Sequence, residues 1–88
     1  MTELEELRNK IDSVDGELVE LLLRRLSLSR EIGEYKKENS LPVEDKKREE
    51  EIIRRLTENA GDDGKYIEEL YKTMFKLSKE TQKGTGDP

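Results

Sequence analysis

The stretch LEELRNKIDSVDGELVELLLRRLSLSREIGEYKKE, residues 4–38, decides the fold. Leu4, Leu7, Ile11, Val14, Leu18 and Leu21 recur at alternating spacings of three and four. That is the a/d seam of a coiled-coil helix. The same register runs on through Arg25 to Leu28, Ile32 and Tyr35, so a guanidinium stands where an apolar residue belongs. Val19, Leu22, Leu23 and Leu26 widen the stripe, which calls for cover on more than one side. Gly33 interrupts a run of strong helix formers at a cost of about 1 kcal/mol relative to Ala. Its expected role is close backbone packing against a neighbour rather than a functional kink.

Beyond this helix, Gly and Pro punctuate the chain at Asn39-Ser40-Leu41-Pro42, at Ala60-Gly61-Asp62-Asp63-Gly64, and from Lys83 to Pro88. Between these marks the composition predicts three helices: Thr2 to Glu38, Val43 to Asn59 with Pro42 pre-setting its start, and Lys65 to Gln82. The fold class is therefore all-α, with one long helix and two shorter ones. Residues 1–83 form the domain, and residues 84–88 read as a frayed tail or the start of a linker. A first helix of about 37 residues spans roughly 55 Å. Two helices of about half that length cannot sheathe it, so an intertwined helical homodimer is expected.

Composition narrows the function classes. The chain has 88 residues, 31% hydrophobic and 44% charged, an apolar share thin enough to favour oligomerisation. Its net charge is 17 − 22 = −5, which argues against nucleic acid or an anionic membrane as partner. No apolar run reaches transmembrane length, and the N-terminus lacks a signal-peptide pattern. A soluble, cytoplasmic protein is the expectation. With no Cys and no His, thiolate chemistry, the commonest general base and most transition-metal sites are missing.

Polar residues continue the inward faces of both shorter helices. Asp45, Arg48 and Glu49 precede Ile52 and Leu56 at helical spacing. Ile67, Leu70, Tyr71, Met74 and Leu77 mark the stripe of the third helix, which Ser78 and Gln82 extend. The pattern predicts a polar pocket inside a helical bundle.

Leu7-Arg8-Asn9-Lys10-Ile11-Asp12, the pair Arg24-Arg25 and Gly33-Glu34-Tyr35-Lys36 resemble the first helix of the all-helical chorismate mutases. Pro42 through Glu49 resembles that family's second-helix motif, and Tyr66-Ile67 with Ser78 and Gln82 its third. The resemblance runs from about Leu4 to Gln82. The connection around Gly61 to Gly64 is shorter than in several relatives.

The resemblance implies a Claisen rearrangement of chorismate to prephenate in phenylalanine and tyrosine biosynthesis, within one molecule and without cofactor or metal. Such a catalyst holds a flexible dianion in a reactive conformer and stabilises charge growing on the breaking ether oxygen. Arg8, Arg25 and Arg48 correspond to the cationic positions around the substrate, with Arg8 contributed across the dimer interface. Lys36 and Gln82 correspond to donors to the ether oxygen. Glu49 corresponds to the acceptor of the ring hydroxyl, aided by the backbone near Asp45, and Ser78 to a carboxylate contact. Lys36, Gln82 and Arg25 are the expected catalytic residues. Fusion to a downstream enzyme of aromatic synthesis is a further possibility.

Taken singly, each residue has a plainer reading. Arg25 can set the register of a coiled coil. Arg8, Lys36 and Arg48 can be solvated helix charges, and Asp45 a partner of the helix dipole. Glu49 can pair along its own helix, Ser78 can be an ordinary helix residue, and Gln82 a frayed surface residue. Two other functions stay open: an isochorismate pyruvate lyase on the same scaffold, and a non-catalytic helical dimerisation or regulatory module.

Overall fold

The structure, a computed structural model, describes residues 2–84. Three α-helices form the fold: α1 at Glu3–Glu38, α2 at Lys46–Thr57 and α3 at Gly64–Gln82, with a short 3₁₀ turn at Gly61–Asp63 between the last two. No strand occurs among the described residues. Of the expected tail, only Gly84 is described, where its N–H donates to the Thr81 carbonyl at 3.2 Å; residues 85–88 lie outside the described residues.

Both ends of α1 and the start of α2 have a chemical cause. Thr2 caps α1, its Oγ1 accepting from the Glu5 N–H at 3.2 Å. At the other end Ser40 takes a left-handed φ of 55°. The Leu41 N–H then reaches back to the Lys36 carbonyl at 2.7 Å and the Ser40 N–H to that of Lys37 at 3.3 Å. This double closure is a Schellman motif made without glycine.

α2 begins three residues later than the expected Val43. Asp45 is the better cap, since its Oδ1 accepts from the Arg48 N–H at 3.0 Å, so Pro42 stays in the loop instead of opening the helix. α2 also ends at Thr57, short of Asn59.

The pairs Arg25–Ser78 and Ser29–Thr81 advance together along α1 and α3, which therefore run in the same direction. α2 lies antiparallel to α3, as Glu49 pairs with Lys79 at one end while Thr57 meets Gly64 at the other. Among the described residues Phe75 is the buried hydrophobic side chain of the core, edge-on to Tyr71 at 5.8 Å between ring centroids.

The expected stripe of α3 needs correction. Ile67, Tyr71 and Met74 are half-buried, but Leu70 and Leu77 are exposed. Phe75 takes the central place because α1 and α2 both approach α3 from its side.

Residues 2–21 are exposed throughout, including Leu4, Leu7, Ile11, Val14 and Leu18. Burial along α1 starts at Leu22, and Arg25 meets Tyr71 of α3, so the protomer leaves the N-terminal half of α1 bare. No helix among the described residues is long and apolar enough to cross a membrane.

Candidate active site

Where α1, the loop before α2, α2 and α3 converge they form a half-open cavity of about 440 Å³. Seven of the eight expected site residues line it: Arg25 and Lys36 from α1, Asp45, Arg48 and Glu49 from α2 and its cap, Ser78 and Gln82 from α3. Leu28, Ile32, Val43, Ile52 and Phe75 supply its apolar walls. Arg8 stands apart, on the bare half of α1.

Charge in the cavity opposes that of the chain. Arg25, Lys36, Arg48 and Lys79 against Asp45 and Glu49 give 4 − 2 = +2, within a chain of net charge −5. This concentration of cations suits a small anion with two negative groups.

Each side chain is held differently. Arg25 is half-buried; its Nη1 donates to Ser78 Oγ, and its guanidinium lies 5.6 Å from the Tyr71 ring centroid. It is thus oriented by hydroxyl and ring, and among the described residues no carboxylate pairs with it. Lys36 Nζ donates to the Val43 carbonyl at 2.8 Å and to Gln82 Oε1 at 3.0 Å. An ammonium has three donors, so one remains, and the amide NH₂ of Gln82 is uncommitted beside it. Two donors therefore stand next to each other without a negative partner among the described residues.

Arg48 is 53% exposed and only loosely paired, at 3.8 Å, with Glu51. It is the site cation with most freedom to swing towards a ligand. Asp45 spends one carboxylate oxygen on the cap, which agrees with its plainer reading as a partner of the α2 N-terminus.

Glu49 does not pair along α2. Its Oε2 is 3.1 Å from Lys79 Nζ, which also lies 3.1 Å from Glu44 Oε1. Hydrogen bonding and charge from Lys79 hold the Glu44 carboxyl below its ordinary value. The bonds to Glu44 and then Glu49 hold the Lys79 ammonium above its own.

Lys79 and Ser29 line the cavity without having been singled out from sequence. Ser29 Oγ donates to the Ser78 carbonyl at 2.9 Å and accepts from Thr81 Oγ1 at 2.8 Å, stitching the last turn of α3 to α1. Helical spacing held a signal for Lys79: it falls four residues after Phe75 and three before Gln82, on the inward face. Among the described residues, no group of three or more His, Cys, Asp or Glu side chains is arranged to hold a metal ion.

The profile of the family described as chorismate mutase type II matches residues 7–83. The chain belongs to this family. It is 30% identical over 83 residues to a chorismate mutase of Methanocaldococcus jannaschii, covering 91% of this chain and 84% of that one. It is 43% identical over 56 residues, 64% of its length, to a bifunctional chorismate mutase/prephenate dehydratase of Aquifex aeolicus. The match takes in 16% of that longer protein. Among solved structures, a conserved hypothetical protein from Pyrococcus furiosus superposes with a TM-score of 0.79 at 39% identity, covering 93% of this chain and 97% of that one. Membership of the type II chorismate mutases accords with the all-helical architecture and with the cluster of cations described above.

Proposed function

We propose that the protein is a chorismate mutase that converts chorismate to prephenate by a one-step intramolecular rearrangement in aromatic amino-acid biosynthesis. The observation that carries this reading is the convergence of Arg25, Lys36 and Arg48 on one cavity of about 440 Å³ beside the amide of Gln82. A pericyclic step needs no nucleophile and no proton transfer, so its catalyst needs only fixed cations and donors in a confined space.

In this reading Arg25 and Arg48 bind the two carboxylates, with Ser78 assisting Arg25. Lys36 and Gln82 direct their remaining N–H groups at the ether oxygen as charge grows there. Glu49 accepts from the ring hydroxyl near the Asp45 backbone. Arg8 of the partner subunit completes the site.

Homodimerisation belongs to the same proposal. The exposed seam of Leu4, Leu7, Ile11, Val14 and Leu18 supports it, since a row of large apolar side chains on a bare helix gains by burial against a second copy. The bifunctional relative supports fusion to a further enzyme as an arrangement open to this chain. Cytoplasmic location is part of the same proposal.

The test is loss of chorismate absorbance on adding purified protein, with products identified and the mass of the assembly measured in the same buffer. Formation of prephenate by a dimer is the expected result. Pyruvate released from isochorismate would move the assignment to a lyase. Absence of turnover together with absence of any thermal shift on adding chorismate would leave only a helical dimerisation module.

A further inference from the structure

Among the described residues, Lys79 is the one cavity-lining cation that the roles above leave unused. It sits on α3 between Ser78 and Gln82, its side chain 26% exposed, with Nζ 3.1 Å from both Glu49 Oε2 and Glu44 Oε1. Glu44 belongs to the loop before α2 and Glu49 to the first turns of α2, so a single ammonium ties two points around the start of that helix to α3.

Glu49 poses a problem for a site that binds a dianion. Its carboxylate is 25% exposed and lines the same cavity as Arg25 and Lys36. Unopposed, it would repel the incoming carboxylates. It would also be free to turn on its long side chain and present either oxygen. Lys79 meets both difficulties, placing a positive charge against Oε2 and leaving Oε1 as the remaining acceptor.

We propose that Lys79 is a positioning residue of the site, which cancels the Glu49 charge facing a dianionic substrate and fixes Glu49 so that Oε1 accepts from the substrate hydroxyl. Glu44, more than half exposed, anchors the other side of the same ammonium. The other charged groups around Lys79 on α3 are Lys72, Lys76, Glu80 and Lys83. None of these makes an ion pair with Glu49 among the described contacts. The inference rests on the proposed rearrangement for its substrate, and on the geometry alone for the clamp.

The experiment is a double-mutant cycle on Lys79 and Glu49, read as kcat and KM for chorismate. Lys79→Met is expected to raise KM on the order of tenfold and to lower kcat less. Lys79→Arg should restore most of the loss. In a Glu49→Gln background, where no charge needs cancelling, Lys79→Met should change KM little. An equal rise in both backgrounds, or no rise in either, overturns the proposal. A second readout needs no turnover: the carbon-13 titration of the Glu44 carboxyl in the folded protein should move upward in Lys79→Met. An unmoved titration overturns the clamp. Failure of the wild-type protein to convert chorismate would count against the proposed function, and the Glu44 titration would still decide whether the clamp exists.

Discussion

A β-carbon placed on Gly33 would stand 2.6 Å from the Gln82 Cα and 2.6 Å from its carbonyl oxygen. The backbones of α1 and α3 therefore touch at the turn that carries Lys36 on one side and the Gln82 amide on the other. No side chain fits there, because both colliding atoms belong to backbone. Gly33 sets the approach that lets Lys36 Nζ reach Gln82 Oε1 at 3.0 Å.

Gly33→Ala should accordingly be destabilising although alanine is the better helix former. The helix gains about 1 kcal/mol, but forcing the two backbones apart typically costs about 1 to 3 kcal/mol. The melting temperature should fall, and activity should fall further than the fraction unfolded explains, because Gln82 moves away from Lys36. A variant as stable and as active as wild type would show that α3 shifts at no cost.

Lys36 and Gln82 should matter to rate more than to folding. Removing one preorganised donor to developing oxyanion charge typically costs about 3 to 4 kcal/mol of barrier, roughly 10²- to 10³-fold. Lys36→Ala and Gln82→Ala should each show losses of that order in kcat while keeping a cooperative melt. Because an amide does not titrate, position 82 should add no acid limb to the pH–rate profile of the wild type. Near-normal kinetics in either variant would remove that residue from the mechanism.

Arg25 separates a structural reading from a functional one. Half-buried among Ser78, Tyr71 and the cavity, it has no carboxylate partner among the described residues. Arg25→Ala should abolish activity with little loss of stability, since the half-buried cation it removes leaves no carboxylate behind among the described residues. Stability raised with catalysis intact would instead make Arg25 a register device in the helix seam.

How far the sequence discloses this arrangement depends on the range of each interaction. The length of α1 was legible because a heptad repeat is local and spans the whole helix. The tight packing at Gly33 was also anticipated, since glycine amid strong helix formers lacks a local reason. The start of α2 is ambiguous in the sequence because Pro42 and Asp45 both signal helix entry. Asp45 wins by capping the Arg48 N–H, which leaves the Val43 carbonyl to receive Lys36. Sequence spacing does not favour Phe75 over Leu70 and Leu77, as which edge of an apolar stripe is buried depends on where two other helices lie. Lys79 was unreadable as a clamp, since its Glu44 contact lies 35 residues away and a lone lysine on a helix resembles any solvated one.

The Lys79 clamp should persist over the middle of the pH range and open at both ends. Glu44 has its folded-state value depressed, first by hydrogen bonding to Lys79 and then by charge from Lys79 and Lys46. Its contribution is thus present above the ordinary value of 4.5 and is lost as pH falls through the lower folded value. Lys79 has its value raised, first by its bond to Glu44 and then by that to Glu49. Its contribution is full below 10.5 and is lost as pH rises through the higher folded value. Carbon-13 titration of the Glu44 carboxyl checks the acid side, where a midpoint at or above the ordinary value would contradict the pairing.

Arg8 allows a test of the shared site that one protein cannot provide. It lies on the exposed half of α1, outside the cavity its own chain forms. If each pocket takes Arg8 from the partner subunit, then Arg8→Ala and Arg25→Ala homodimers are both inactive, with every site lacking one cation. Mixing equal amounts through unfolding and refolding produces heterodimers in which one pocket combines an intact Arg25 with the partner's Arg8, while the other lacks both. Random pairing makes about half the dimers mixed, each with one good site of two, so about a quarter of wild-type activity should return. Recovery of that size requires exchange across an interface. Activity that stays at the level of the separate variants would mean that Arg8 serves no site in the partner, and the bare half of α1 would then need another explanation.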